Sequence, residues 1–245
     1  MKKILLLLAF ILPMACSFVA CSSDDDPTKT ELTSAEIEKL QGTWKITKVE
    51  DFQLPGERKI VFDQSSVKVY MKNPTAQYFR LVDEYTYKVV GNMLTLTNKW
   101  SGEVGSTVEV LSFSDTALKV VITDMEYGYG TYTAHMSKEQ NIELASLQGT
   151  WNATDVSITN LPAMKFLIKG NQLVVFEKNT GLNYTETGSY TFEIIGQTLY
   201  LSLTGYSSTD MVIELSNISQ NTMDAKIVDI YNDGLTYTMK IVKEK

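Results

Sequence analysis

The feature that most constrains this chain is that it repeats itself. Leu40-Gln41-Gly42-Thr43-Trp44 returns as Leu147-Gln148-Gly149-Thr150-Trp151, and Leu54-Pro55 returns as Leu161-Pro162. Tyr85-Thr86-Tyr87-Lys88-Val89-Val90-Gly91-Asn92-Met93-Leu94 is matched by Tyr190-Thr191-Phe192-Glu193-Ile194-Ile195-Gly196-Gln197-Thr198-Leu199. Asp124-Met125 with Thr131-Tyr132-Thr133 comes back as Asp229-Ile230 with Thr236-Tyr237-Thr238. Order is kept throughout and the offset drifts only from 107 to 105, so the chain is a tandem duplication of one unit.

Inside each unit the period is two. Tyr190, Phe192 and Ile194 share one face while Thr191 and Glu193 share the other, and Tyr85, Tyr87 and Val89 alternate likewise with Thr86 and Lys88. Gly91-Asn92 and Gly196-Gln197 interrupt these runs as hairpin turns. In the first unit the pattern predicts about eight short strands: 43–50, 58–63, 67–72, 77–81, 84–90, 93–98, 107–114 and 117–123, with a closing strand near 130–136 as a ninth. Antiparallel strands with one apolar face curl into a barrel or stack as a sandwich. Capping-box patterns at Thr33-Ser34-Ala35-Glu36 and Ser137-Lys138-Glu139-Gln140 predict a short helix before each unit, ended by Gly42 and Gly149.

This helix leading through Gly-Thr-Trp into a first strand resembles the lipocalin-like domains of many Bacteroidetes lipoproteins. The resemblance covers 34–136 and 139–243, and both units are shorter than full lipocalins. It implies an all-β fold of two tandem up-and-down barrels, at 33–136 and 137–245, and a place for a small apolar or amphipathic ligand. The inward aromatics Tyr85, Tyr87, Tyr132, Tyr190, Phe192 and Tyr237 would line such a pocket. An eight-stranded barrel is only just wide enough for its own side chains, so the same residues would equally serve to fill it. Trp44 and Trp151 are expected to plug the barrel bases.

The N-terminus carries an address. Met1-Lys2-Lys3 and the aliphatic run Ile4 to Ile11 form the n- and h-regions of a signal peptide over 1–20, the run being too short to cross ~30 Å of hydrocarbon. Phe18-Val19-Ala20-Cys21 resembles a bacterial lipobox, which makes Cys21 the lipidation site and gives membrane attachment through an N-terminal lipid anchor. Cys16 after Pro13-Met14-Ala15 is the competing position, and an ordinary secretory signal the simpler alternative. Residues 21–32 then form a flexible acidic tether, in which Ser22-Ser23-Asp24-Asp25-Asp26-Pro27 resembles the surface-export signal of Bacteroidetes lipoproteins. The expected location is the outer membrane, facing the cell surface, with periplasmic orientation the alternative.

Composition narrows the chemistry. The formal charge is -7, and loss of Lys2 and Lys3 with residues 1–20 leaves 20 basic against 29 acidic residues. No basic run offers nucleic acid a footprint. Both cysteines lie in the first 21 residues, so the folded body has no disulfide or cysteine–metal site. His135 is the single histidine; it shares a polar strand face with Thr131 and Thr133 and is replaced by Lys240 in the second unit. Asp124 and Asp229 hold equivalent turn positions in different units, which suits turn stabilisation and not a paired-carboxylate site. No catalytic set, metal site or cofactor is expected. Asp115-Thr116-Ala117 resembles the Bacteroidetes O-glycosylation sequon and puts Thr116 at a strand-to-strand turn. The reading is a non-catalytic binding module; its rival is an interaction module with filled barrels that presents its surface to a protein or glycan. An open apolar cavity of ~300 Å³ or more separates the two.

Overall fold

The computed structural model describes residues 31–50, 52–178 and 183–244. The signal peptide, Cys16, Cys21 and the tether up to residue 30 lie outside the described residues. Two closed antiparallel barrels of eight strands each follow one another along the chain. The first contains β1 (Gly42–Val49), β2 (Glu57–Phe62), β3 (Ser66–Lys72), β4 (Arg80–Val90), β5 (Met93–Asn98), β6 (Val104–Phe113), β7 (Ala117–Asp124) and β8 (Gly130–Lys138), closed by pairing of β1 with β8. The second contains β9 (Gly149–Thr154), β10 (Ala163–Lys169), β11 (Gln172–Lys178), β12 (Thr185–Ile195), β13 (Thr198–Leu203), β14 (Met211–Ser216), β15 (Thr222–Asp229) and β16 (Leu235–Lys243), closed between β9 and β16.

The strand count therefore settles at eight. Of the segments 77–81 and 84–90, expected as separate strands, 80–81 and 84–90 belong to the single strand β4, whose pairing with β3 skips Val82 between Asp83 and Leu81, while 77–79 lie in the preceding loop. One unpaired residue bends the strand without ending it, so the alternation loses phase while the ladder continues. The second barrel has the same bulge at Thr187, between Gly188 and Glu186. The hairpins turn as expected at Gly91-Asn92 and Gly196-Gln197, with Gly91 at φ 63° and Gly196 at φ 61°. Left-handed φ at that point of a two-residue hairpin turn is what glycine supplies at least steric cost.

Helix α1 (Ser34–Leu40) forms with the full capping box between Thr33 and Glu36. The second capping box does not form. Ser137 and Lys138 are instead the last residues of β8, paired with Lys45 and Trp44, and the helix α2 (Leu144–Leu147) starts later without a side-chain cap. Closing the first barrel required those backbone groups, and the ladder outcompeted a single turn of helix. Each helix is preceded by a buried apolar residue docked on the neighbouring hairpin turn: the Leu32 N–H donates to Gly91 O at 3.0 Å, and the Ile142 N–H to Gly196 O at 3.0 Å. Leu32 thus belongs to the first barrel's core and not to the tether.

Trp44 and Trp151 plug the bases in the same way. Both are fully buried, and each indole Nε1–H donates at 2.7 Å to the helix carbonyl four residues earlier, Leu40 O and Leu147 O. Lys138 Nζ sits 5.2 Å from the Trp44 ring and Lys243 Nζ 5.1 Å from the Trp151 ring.

A third core joins the barrels. Tyr70 and Phe79 of the first pack against Ile195, Tyr200, Val212 and Val228 on the outer wall of the second, with the Tyr70 and Tyr200 rings 5.6 Å apart. Lys68–Glu193 at 2.5 Å and Lys59–Glu139 at 2.8 Å flank it.

Candidate ligand cavity of the first barrel

With both bases plugged, a ligand can enter only from the opposite ends, where the β1–β2 and β7–β8 loops and their second-barrel counterparts lie. The two interiors differ sharply there. The first barrel encloses a mainly apolar cavity of about 260 Å³ that runs from Phe62 and Val67 up to Leu54, Tyr127 and Tyr129 of the mouth loops. The second barrel keeps a void of only about 20 Å³, walled by Trp151, Phe166, Leu173, Ile213 and their neighbours. The first falls just short of the ~300 Å³ that marks a small-ligand pocket, and the second is a packing defect.

The strand registers identify the side chains responsible. Trp44 pairs with Ile60 and Trp151 with Phe166, so Ile60 and Phe166 are equivalent. By the same ladders Ser106, opposite Leu96, corresponds to Met211, opposite Leu201, and Ala134, opposite Val120, to Met239, opposite Ala225. At all three positions the second barrel carries the larger side chain. Smaller second-barrel residues such as Ala153 for Ile46 only partly offset them.

Several polar residues of the mouth have no polar equivalent in the second barrel. Asp83 is buried and accepts the Tyr127 hydroxyl proton on both oxygens, at 2.8 and 2.7 Å. Glu126 accepts from Tyr85 Oη at 3.0 Å and from Asn98 Nδ2 at 2.9 Å. Asp124 holds the loop above by accepting the N–H groups of Glu126, Tyr127 and Tyr129 at 3.0, 3.1 and 3.2 Å. Burial, followed by the Tyr127 hydrogen bond acting the other way and the nearby Glu126 charge, leaves the Asp83 carboxyl above the usual range. Desolvation pushes Tyr132 up to about 12, so it stays a neutral phenol at the cavity wall. The register equivalents of Arg58, Asp83 and Asn98 in the second barrel are Met164, Gly188 and Leu203.

Of the aromatics expected to line a pocket, Tyr85 and Tyr132 do so. Tyr87 points to the base instead: its hydroxyl donates to Asp63 O at 3.2 Å and its ring meets Phe62 edge-on at 6.0 Å. Phe192 is part of the packed second core, with Tyr190 and Tyr237 against it. Asp124 is the loop clamp that the turn reading anticipates; its counterpart Asp229 caps the Asn232 N–H at 3.1 Å. His135 sits on the outer wall, with Nε2 2.7 Å from Glu50 Oε1 in a surface group with Lys48 and Lys119. Thr116 is exposed in the β6–β7 turn, beside Asp115 paired to Lys39 at 2.7 Å. Sequence reasoning missed Arg58, Asp83, Glu126 and Tyr127, whose shared location appears only when the barrel closes. One signal was available: aligned with the second unit, each differs from its partner.

A family model described as a lipocalin-like domain matches residues 40–120, which run from the end of α1 into β7. No curated protein matches the chain. Among solved structures, a protein of unknown function from the DUF3598 family of Nostoc punctiforme is similar over 86% of this chain and 98% of its own, at 10% identity and a TM-score of 0.27. The first barrel is thus similar in sequence to a lipocalin-like domain, and the fold of two closed eight-stranded barrels accords with that likeness.

Proposed function

We propose that this chain is a lipid-anchored cell-envelope protein whose first barrel binds a small apolar or amphipathic ligand without transforming it. The observation that carries the binding role is the coincidence, in one copy of a duplicated unit, of an open interior with a polar mouth. The second copy packs its interior shut, and the first differs from it at Ile60, Ser106 and Ala134 together. A cavity of about 260 Å³ forgoes dispersion contacts that larger side chains would supply, a cost the second barrel avoids. An occupant restores those contacts.

The second barrel takes a different part in this reading. Its filled interior and apolar outer wall make it a rigid partner for the first, and its outward aromatics Tyr206 and Tyr231 suit contact with a protein or glycan. Anchoring rests on the sequence: the lipobox-like Phe18-Val19-Ala20-Cys21 and the acidic stretch after it support an outer-membrane, surface-facing Bacteroidetes-type lipoprotein.

Native mass spectrometry of the purified protein tests the binding role. A co-purifying small molecule lost on Ser106→Met supports it, and an empty barrel that takes up no amphiphile at millimolar concentration refutes it. For the anchor, Cys21→Ser is expected to move the protein from the membrane to the soluble fraction; continued membrane association would refute lipidation there.

A further inference from the structure

We infer that the ligand of the first barrel carries a single anionic head, a carboxylate on a compact apolar tail, received by Arg58. This deepens the binding role proposed above and rests on it. Arg58 lines the cavity near its mouth and is only 9% exposed. Its Nη1 donates to Pro55 O at 2.8 Å and lies 3.5 Å from Glu57 O, both backbone carbonyls. Among the described residues no carboxylate lies within ion-pair distance of it, and its Nε and Nη2 hydrogens find no protein acceptor. A guanidinium offers five donors in a planar fork matched to a carboxylate, and burying one without a counter-ion is costly.

The acidic residues of the same mouth do not supply that counter-ion. Asp83 accepts from Tyr127, Glu126 from Tyr85 and Asn98, and Asp124 from three backbone N–H groups, and none of the three is paired with Arg58. Among the charged side chains that line the cavity, Arg58 is the one with donor hydrogens, and those on Nε and Nη2 are left for an anion. In the packed barrel the equivalent residue is Met164, so cation and cavity are absent together. At roughly 30 Å³ per non-hydrogen atom, about 260 Å³ encloses about nine such atoms, the size of a medium-chain fatty acid with its head at the mouth.

Isothermal titration calorimetry on the full chain carrying Cys21→Ser, which needs no detergent, tests this with octanoate, octanol and octylamine. Octanoate is expected to bind ~10–100-fold more tightly than octanol or octylamine, as charge-assisted hydrogen bonds imply. Arg58→Met should bring octanoate down to the octanol value measured on the same variant; Arg58→Lys should retain part of the preference. Equal affinities for octanoate and octanol, or an Arg58→Met protein that keeps the preference, would overturn the anionic head. The cavity reading would still stand if Ser106→Met abolished octanol binding. Failure of the parent chain to bind any of the three would overturn both. Unfolding curves recorded on each variant distinguish a lost head contact from a lost fold, with Met164 showing that methionine suits this position in a barrel.

Discussion

Ser106→Met copies into the first barrel the residue that the second barrel has at the same ladder position, Met211. Ser106 lines the cavity. The substitution exchanges a hydroxyl for a methylene and adds a sulfur and a methyl, about three apolar groups. At ~0.8 kcal/mol per buried methylene-sized group the gain is ~2 kcal/mol. Overpacking would normally oppose it at ~1–3 kcal/mol, but the two extra heavy atoms need roughly 60 Å³ and the space beside them is about 260 Å³. The variant should therefore be more stable by ~2 kcal/mol and, for a unit of this size, unfold ~10 °C higher. It should also lose at least tenfold in affinity for any ligand that fills the cavity. Scanning calorimetry and octanol titration measure the two effects. They must move in opposite directions: a variant that is destabilised, or one that is unchanged in stability and binds octanol as before, would show that Ser106 does not face usable empty space.

Trp44→Phe and Trp151→Phe each remove an indole hydrogen bond of 2.7 Å and leave a buried helix carbonyl without its donor; each should cost ~2–3 kcal/mol in denaturant unfolding, with the two costs nearly equal because the geometries match. Asp83→Asn should stabilise the protein at pH 7. The folded pKa of Asp83 is raised, so its ionisation opposes folding above that pKa; the advantage of the variant should shrink as pH falls through it and vanish below ~4, where the unfolded carboxyl is protonated as well. A gain that grew on acidification would contradict the burial assigned to this group. Replacing Tyr200, Val212 and Val228 together by threonine should uncouple the barrels, splitting a shared unfolding transition in two and increasing the radius of gyration in solution scattering.

That triple replacement also shows what was legible before the fold was known. The two-residue alternation, the Gly-Asn and Gly-Gln hairpins, the Trp plugs and the duplication are local or periodic signals, and all of them carried through. The bulge at Val82 was hidden because an inserted residue looks the same as a strand break when only the period is followed. The false capping box at Ser137 arose because its hydroxyl and Gln140 satisfy a local pattern, whereas barrel closure is decided by the pairing of Ser137 and Lys138 with Lys45 and Trp44, 92 and 94 positions away. The interface between barrels could have been read. Tyr200, Val212 and Val228 stand where the first unit has Thr95, Thr107 and Thr123, neighbours across three strands in both barrels. Outer-wall positions that are threonine in one copy and apolar in the other mark a surface that only one copy buries. The same comparison, applied to the inner wall, separates Ser106 from Met211 and Arg58 from Met164. A duplication thus supplies two solutions to one packing problem, and function is sought where the solutions differ. Shared residues, such as the tryptophans and hairpin glycines, specify how a barrel closes. The unshared ones at the first mouth are not needed for closure, since the second barrel closes without them, and the proposed ligand would account for their charge, their burial and the space beneath them together.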